Sequence, residues 1–308
     1  MVESIRAKSA DLPPDVAFRE TRISDGCSLY LGDCLEVLET LPDNSVDLVF
    51  GSPPYEDART YGIDFSLKGQ EWVDWMVEVY RQSLRVCKGL VAFVVQGRTR
   101  QYKWSCTPAL LIADLHRAGF NVREPLYYYR SGIPGSGGPD DMRHDLEYVV
   151  RTSKPGRLLW SNNTACGGPP LYRVGGKMSN RNQDGLRANQ SYKGTIHKQY
   201  TTPDKPLQTK EDVVVFSQPK LANPGNLIKL TVGGGHLGSK LAHENEAPFP
   251  EKLAEFFIKS FCPPQGIVLD PFLGSGTTVC VADDLGRKYL GIDIRQSQID
   301  LTLRRLAE

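Results

Sequence analysis

Four consecutive residues, Ser52-Pro53-Pro54-Tyr55, set hydrogen-bond acceptors beside an aromatic ring. Two prolines hold the backbone extended and remove two N–H donors. What remains is the Ser52 oxygen and a run of backbone carbonyls. Such a set suits an amino group conjugated to a ring, whose nitrogen is a poor nucleophile because its lone pair is delocalised. Acceptors that take both N–H protons draw the nitrogen towards tetrahedral geometry and localise that pair. The nitrogen can then attack an electrophilic carbon in line, so the work is positioning and electrostatic stabilisation. Tyr55 adds a face on which an extruded base can stack.

A second constellation lies far along the chain. Val268-Leu269-Asp270-Pro271-Phe272-Leu273-Gly274-Ser275-Gly276-Thr277-Thr278 reads as a strand, a glycine-rich turn and a helix start. Such a turn lets a ligand approach backbone at a helix N-terminus. A phosphate-binding P-loop needs lysine after the second glycine, and Thr277 stands there. A dinucleotide fold needs a third glycine or alanine, and Val279 stands there. A nucleoside without phosphate is the remaining class. Asp293 ends the next apolar run and can accept both ribose hydroxyls, while Asp270 can hold a positive amino-acid end. That combination suits S-adenosylmethionine, whose sulfonium methyl is the electrophile the first motif requires. Taken alone, the same residues also describe a plain strand–turn–helix with incidental acids.

Other chemistries fit less well. Seven cysteines, at 27, 34, 87, 106, 166, 262 and 280, include no CxxC pair, and the five histidines show no HxxxH spacing. Neither a disulfide framework nor a metal site is expected, and the cysteines read as small core residues of a reducing compartment. No apolar run reaches the roughly 18 residues of a membrane span. Residues 1–14 lack the apolar stretch of a secretory signal, so the expected location is the cytoplasm.

The elements that must position these motifs fall into three zones. From 21 to 130, strand and helix signals alternate: strands at 27–31, 46–50 and 90–95, and helices at 33–40, 72–87 and 107–117. The SPPY motif directly follows the second strand. From 131 to 240 the chain is rich in Gly, Pro and Asn, with short strands only at 146–151 and 213–217. This zone reads as a loop-rich insertion that orders in part on binding. From 241 to 308 the α/β pattern returns, with helices at 249–261, 274–285 and 296–306 and strands at 267–270 and 289–293. Neither flank has enough strands to stand alone, so the two are expected to close into one doubly wound, mostly parallel sheet.

Charge divides along the same lines. The net charge is +1, but residues 131–240 hold 15 Lys and Arg against 8 Asp and Glu. A polyanion is the natural partner of such a segment. Arg143, Arg157, Arg173, Lys177, Arg181, Arg187, Lys193 and Lys198 are the candidate DNA contacts, mostly to phosphate. Asn162, Asn163, Asn180, Asn182 and Gln183 can read adenine edges. Tyr127, Tyr128 and Tyr129 either line a base pocket or form a strand with one buried face.

With these motifs in this order, the chain resembles the S-adenosylmethionine-dependent DNA amino-methyltransferases. Gly51 to Tyr55 carries the family's [S/N/D]-P-P-[Y/F/W] catalytic motif, and Asp270 to Gly276 its D-P-F-x-G-S-G cofactor motif. Catalytic motif first, recognition region between and cofactor motif last is the permuted β-class order. The resemblance implies that Asp33 contacts the cofactor's adenine amino group and that Phe249 lines its pocket. The cofactor-binding set is then Asp33, Phe249, Asp270, Pro271, Phe272, Gly274, Ser275, Gly276, Thr277 and Asp293. It implies a seven-stranded sheet with one reversed edge strand and helices on both faces. It also implies duplex DNA as substrate, base flipping and often a homodimer, and it leaves a cognate restriction endonuclease open. Ser at the first motif position goes mostly with cytosine N4 and Asp mostly with adenine N6, so Ser52 points to cytosine. Adenine N6, and RNA or protein amino groups, stay open.

Overall fold

The computed structural model describes residues 11–13, 16–56, 65–132, 140–171, 220–232, 238–245 and 248–308. The chain divides into two compact units, Met1–Cys166 with Gly225–Glu308, and Gly167–Pro224. In the smaller unit the Ala222 amide donates to the Gly168 carbonyl at 2.9 Å.

The larger unit is built on one mixed sheet. Its strands are β1 (Phe18–Ser24), β2 (Cys27–Gly32), β3 (Val46–Gly51), β4 (Cys87–Val95), β7 (Asn121–Ser131), β8 (Leu146–Ser153), β9 (Leu227–Thr231), β10 (Ile267–Asp270) and β11 (Lys288–Asp293). The order is β1-β2-β11-β10-β3-β4-β8-β7-β9. Five neighbours, β2, β11, β10, β3 and β4, are mutually parallel. Their side chains are buried almost throughout, because helices cover both faces. A short separate ribbon, β5 (Thr99–Arg100) with β6 (Lys103–Trp104), follows β4.

The helices are α1 (Cys34–Thr40), α2 (Gly69–Val86), α3 (Thr107–Arg117), α4 (Glu251–Phe261), α5 (Thr277–Asp284) and α6 (Gln296–Leu306). Side chains of α1 to α3 join Val49, Val91 and Phe93 in a core on one face. Those of α4 to α6 join Leu48, Phe50 and Val94 in a core on the other. In α2 the apolar residues Trp72, Val73, Met76, Val79 and Tyr80 recur at helical spacing and are all buried. On the opposite face Phe257 of α4 stacks on Phe50 with ring centroids 4.4 Å apart.

The two flanks of the chain meet where β3 pairs with β10. Val268 lies opposite Leu48 and Leu269 opposite Val49. At the start of this seam the Asp47 carboxylate accepts the Ile267 amide at 2.8 Å and pairs with Lys88 at 3.1 Å. From β3 the chain crosses through α2 to β4 on one side, and from β10 through α5 to β11 on the other. The seam is therefore a topological switch point, and such folds bind ligands beyond the carboxyl ends of the strands there.

Two expectations need correction. The sheet has nine strands among the described residues, not seven. The additions are β1 and β9 at the two edges. The first is polar and largely exposed, so it carries no apolar signature, and the second is only five residues in a loop-rich zone. The reversed strands are β1 and β8, and β8 lies between β4 and β7 rather than at an edge. Both β8 and β9 come from the zone 131–240, and the strand expected at 213–217 lies outside the described residues.

Removing the Phe257 ring by Phe257→Ala is expected to destabilise the larger unit by about 3–5 kcal/mol, the usual cost for a fully buried Phe. Urea denaturation measures this, and a loss below about 1 kcal/mol would contradict the packing described.

Candidate active site

The carboxyl ends of the parallel strands bring the two motifs together. Asp33 follows β2, Asp293 ends β11, Asp270 ends β10 and Ser52 follows β3. The closest approach is between Gly51 and Asp270. A Cβ on Gly51 would sit 2.2 Å from Asp270 Oδ1, so only glycine lets the carboxylate lie against β3. Asp270 is 1% exposed and accepts the Phe272 amide at 3.0 Å. Among the described residues it pairs with no cation. Burial pushes its carboxyl up to about 7, against the pull of the Phe272 N–H.

Asp293 holds the glycine turn. Its carboxylate accepts the amides of Gly274 and Arg295, each at 2.9 Å, with the Arg295 guanidinium 3.6 Å away. Burial raises this carboxyl too, and Arg295 opposes the shift. Gly274 and Gly276 both have positive φ, 51° and 76°, and a Cβ on Gly276 would meet Thr302 at 2.5 Å. Ser275 and Thr277 turn inward to a buried guanidinium: Arg305 donates to the Ser275 carbonyl at 2.6 Å and to the Thr277 hydroxyl at 3.2 Å. Glu251 closes that pair at 2.7 Å. Pro271 is buried, and Phe272 packs against Trp75 and Phe93. Phe249 meets Phe50 edge-on at 5.6 Å, beside the end of β3. Asp33 caps α1, accepting the Leu35 amide at 2.8 Å.

The SPPY segment is held from several sides. Ser52 Oγ donates to the Val94 carbonyl of β4 at 3.2 Å. Trp72 Nε1 donates to the Pro54 carbonyl at 2.9 Å. Tyr55 donates to the Glu147 carboxylate at 3.2 Å, and Arg130 pairs with the other carboxylate oxygen at 2.9 Å. Burial and the neighbouring Glu147 keep the Tyr55 phenol well above its ordinary range. Burial raises the Glu147 carboxyl, opposed by Arg130 and by the Tyr55 hydroxyl. Tyr128 is buried beside this cluster, and its hydroxyl finds no partner among the described residues. Tyr127 packs edge-on against Tyr148 instead, at 5.5 Å. One residue beyond Tyr55, the buried Glu56 accepts the Gly69 amide at 2.9 Å, the Thr107 hydroxyl at 3.2 Å and the Arg98 amide at 3.3 Å.

Glu56, Trp72, Arg130 and Glu147 were missed in the sequence. Glu147 alone left a signal, a lone carboxylate in the apolar run Leu146-Glu147-Tyr148-Val149-Val150. Trp72 reads as helix core, and Glu56 as an ordinary loop acid. Among the expected DNA contacts, Arg143 pairs with Asp145 at 2.5 Å. Arg157 is exposed beyond β8, at the edge of the sheet opposite Ser52. Arg173, Lys177, Arg181, Arg187, Lys193 and Lys198 lie outside the described residues.

A family model described as DNA methylase, of the N6/N4 type, matches residues 46–304. The chain belongs to the DNA methylase family. It is 28% identical to the DNA adenine methyltransferase YhdJ of Escherichia coli (strain K12), over 89% of this chain and 81% of that one. Its fold is similar to that of the PvuII DNA methyltransferase (cytosine-N4-specific), with TM-score 0.64, 20% identity, and 91% and 86% of the two chains covered. It is also similar to a modification methylase of Thermus thermophilus solved in complex with S-adenosyl-L-methionine, with TM-score 0.54 and 21% identity, over 91% and 92% of the chains. No helix among the described residues is long and apolar enough to cross a membrane, and no group of His, Cys, Asp and Glu among them forms a metal site.

The raised Asp270 carboxyl makes this methylase's stability depend on pH. A carboxyl near 7 when folded, and near 3.9 when unfolded, contributes most below the unfolded value. That contribution is lost as pH rises through about 7. Ligand-free protein should therefore gain stability from this group on acidification from about pH 8 to about pH 5, and Asp270→Asn should remove the gain. Urea titrations at the two pH values measure it, and an equal gain in the variant would refute the assignment.

Proposed function

We propose that this DNA methylase transfers a methyl group to the exocyclic amino nitrogen of a base extruded from duplex DNA, with cytosine N4 as the target. S-adenosylmethionine is the donor and supplies a sulfonium methyl when bound. The observation that carries the reading is the meeting of Ser52 and Asp270 across the β3–β10 seam. It sets an acceptor-lined loop beside a buried, cation-free carboxylate and a glycine turn.

The residues fit such a donor. Asp270 offers a buried carboxylate whose cost falls when an ammonium group pairs with it. Asp293 has lone pairs left for ribose hydroxyls beyond those that hold Gly274 and Arg295. Asp33 and Phe249 take the adenine end, Asp33 with acceptor capacity beyond its capping bond. Pro271, Phe272, Gly274, Ser275, Gly276 and Thr277 shape the turn between them.

On the acceptor side, Trp72 already occupies the Pro54 carbonyl. The amino protons are then left the Ser52 oxygen and the Pro53 carbonyl. Ser52 donates its own proton to Val94, so its lone pairs face the substrate. Drawing both N–H protons into acceptors localises the nitrogen lone pair in line with the methyl. Tyr55, tethered by Glu147, gives the base a fixed stacking face.

Ser52 favours cytosine, since the family motif pairs serine mostly with that base. The permuted β-class order makes residues 21–130 and 241–308 the two halves of one catalytic domain. The range 131–240 is the basic target-recognition region, with the eight Arg and Lys candidates, Arg143 to Lys198, mostly on phosphates.

Methyl transfer from labelled donor to unmethylated plasmid DNA tests this. Ser52→Ala should slow transfer by about 100-fold, the scale of a lost transition-state hydrogen bond, while donor affinity holds. Asp270→Ala should abolish donor binding in calorimetry. Full activity in the first variant, or unchanged binding in the second, would refute the corresponding role.

A further inference from the structure

The ribbon formed by β5 and β6 serves neither the core nor the site described. Residues 96–106 hold Arg98, Arg100 and Lys103 and no Asp or Glu. The ribbon's turn is made by Gln101 and Tyr102, both at positive φ, 47° and 62°. Two-residue hairpin turns of this kind favour Asn and Gly, and a bulky side chain at positive φ is strained. Tyr102 is nonetheless 78% exposed at that turn, so its ring stabilises nothing within the chain. Strain that no packing explains is a pointer to function.

The ribbon's root is rigid. The Ser105 amide donates to the Arg98 carbonyl at 2.9 Å, and the Arg98 amide to Ser105 Oγ at 3.0 Å. Trp104 stacks on Tyr148, and a Cβ on Gly97 would lie 2.4 Å from Trp104 Nε1. Most tellingly, Glu56 accepts the Arg98 amide one residue after Tyr55. One buried carboxylate thus ties the SPPY loop and the ribbon together, which fixes Tyr102 relative to Ser52.

We propose that this ribbon is a DNA-contact element separate from the basic 131–240 region. Arg100 and Lys103 grip backbone phosphates, and Tyr102 packs against the base stack next to the extruded base. The proposal rests on the methylation reading above. Duplex DNA is the occupant because the ribbon is purely basic, is fixed to the acceptor loop, and ends in an exposed aromatic ring that can face stacked bases.

The test uses the full chain with unmethylated plasmid DNA. Binding is measured over a salt series, alongside the rate of methyl transfer and the affinity for the donor. The double variant Arg100→Gln, Lys103→Gln should reduce the slope of log affinity against log salt by about 1.8, two phosphate contacts at about 0.9 each. Tyr102→Phe should keep the wild-type rate. Tyr102→Gly relieves the turn, so its melting temperature should hold or rise while methyl transfer falls at least ten-fold. Donor affinity should stay unchanged in all variants. An unchanged salt slope would overturn the phosphate grip, and a full rate in Tyr102→Gly would overturn the stacking role. If wild-type protein transfers no methyl to DNA, the methylation reading itself fails. If only the variants behave as wild type, the ribbon alone is refuted.

Discussion

Everything at the candidate site depends on how closely β3 can lie against the end of β10. The carboxylate of Asp270 occupies the space a side chain at position 51 would need. Glycine there lets two segments remote in sequence share one crevice. On one side of the contact lies a loop of acceptors, on the other a carboxylate and a glycine turn. Any side chain larger than hydrogen at position 51 would have to displace Asp270 or part the two strands. Asp47 braces the same pair of strands at their other end, through the Ile267 amide. The register of the seam is therefore held both where it begins and where the chemistry lies.

The polar groups around this contact are costly to bury, and they are buried in networks that answer the cost. Glu56 gathers three donors from three different segments. Glu147 is flanked by Tyr55 and Arg130. Arg305 is satisfied by the glycine turn and by Glu251. Removing one partner from such a network leaves a buried charge uncompensated, so these groups hold the loop and the turn rigidly. Asp270 is the exception. It lies in the same low-dielectric surroundings, yet its carboxyl rises to about 7 for want of a cation. A site made to receive a positively charged group has this character.

Much of this was legible in the residues. The apolar runs of β3, β4, β10 and β11 are buried parallel strands, and continuous apolar sequence is their direct signature. The helical spacing of Trp72, Met76 and Val79 showed α2, and the two glycine-flanked motifs showed the ends of β3 and β10. What escaped was whatever depends on tertiary partners. Polar β1 becomes a strand only because β2 offers it a ladder. Glu56 and Trp72 act on the loop through contacts that no local pattern encodes. Asp33 and Asp293 stood out as ligand acids, yet each also holds backbone, one at a helix start and one at the glycine turn. Ser275 and Thr277 stood out as part of a cofactor motif and are bound to Arg305.

The central claim is that a base amino nitrogen and a sulfonium methyl meet at this seam. Nucleoside mass spectrometry tests it most directly. Purified protein is incubated with S-adenosylmethionine and unmethylated plasmid, and the DNA is digested to nucleosides. The account predicts N4-methylcytosine. N6-methyladenine would contradict the choice of base, and the absence of both, with donor still bound, would contradict the account of the site.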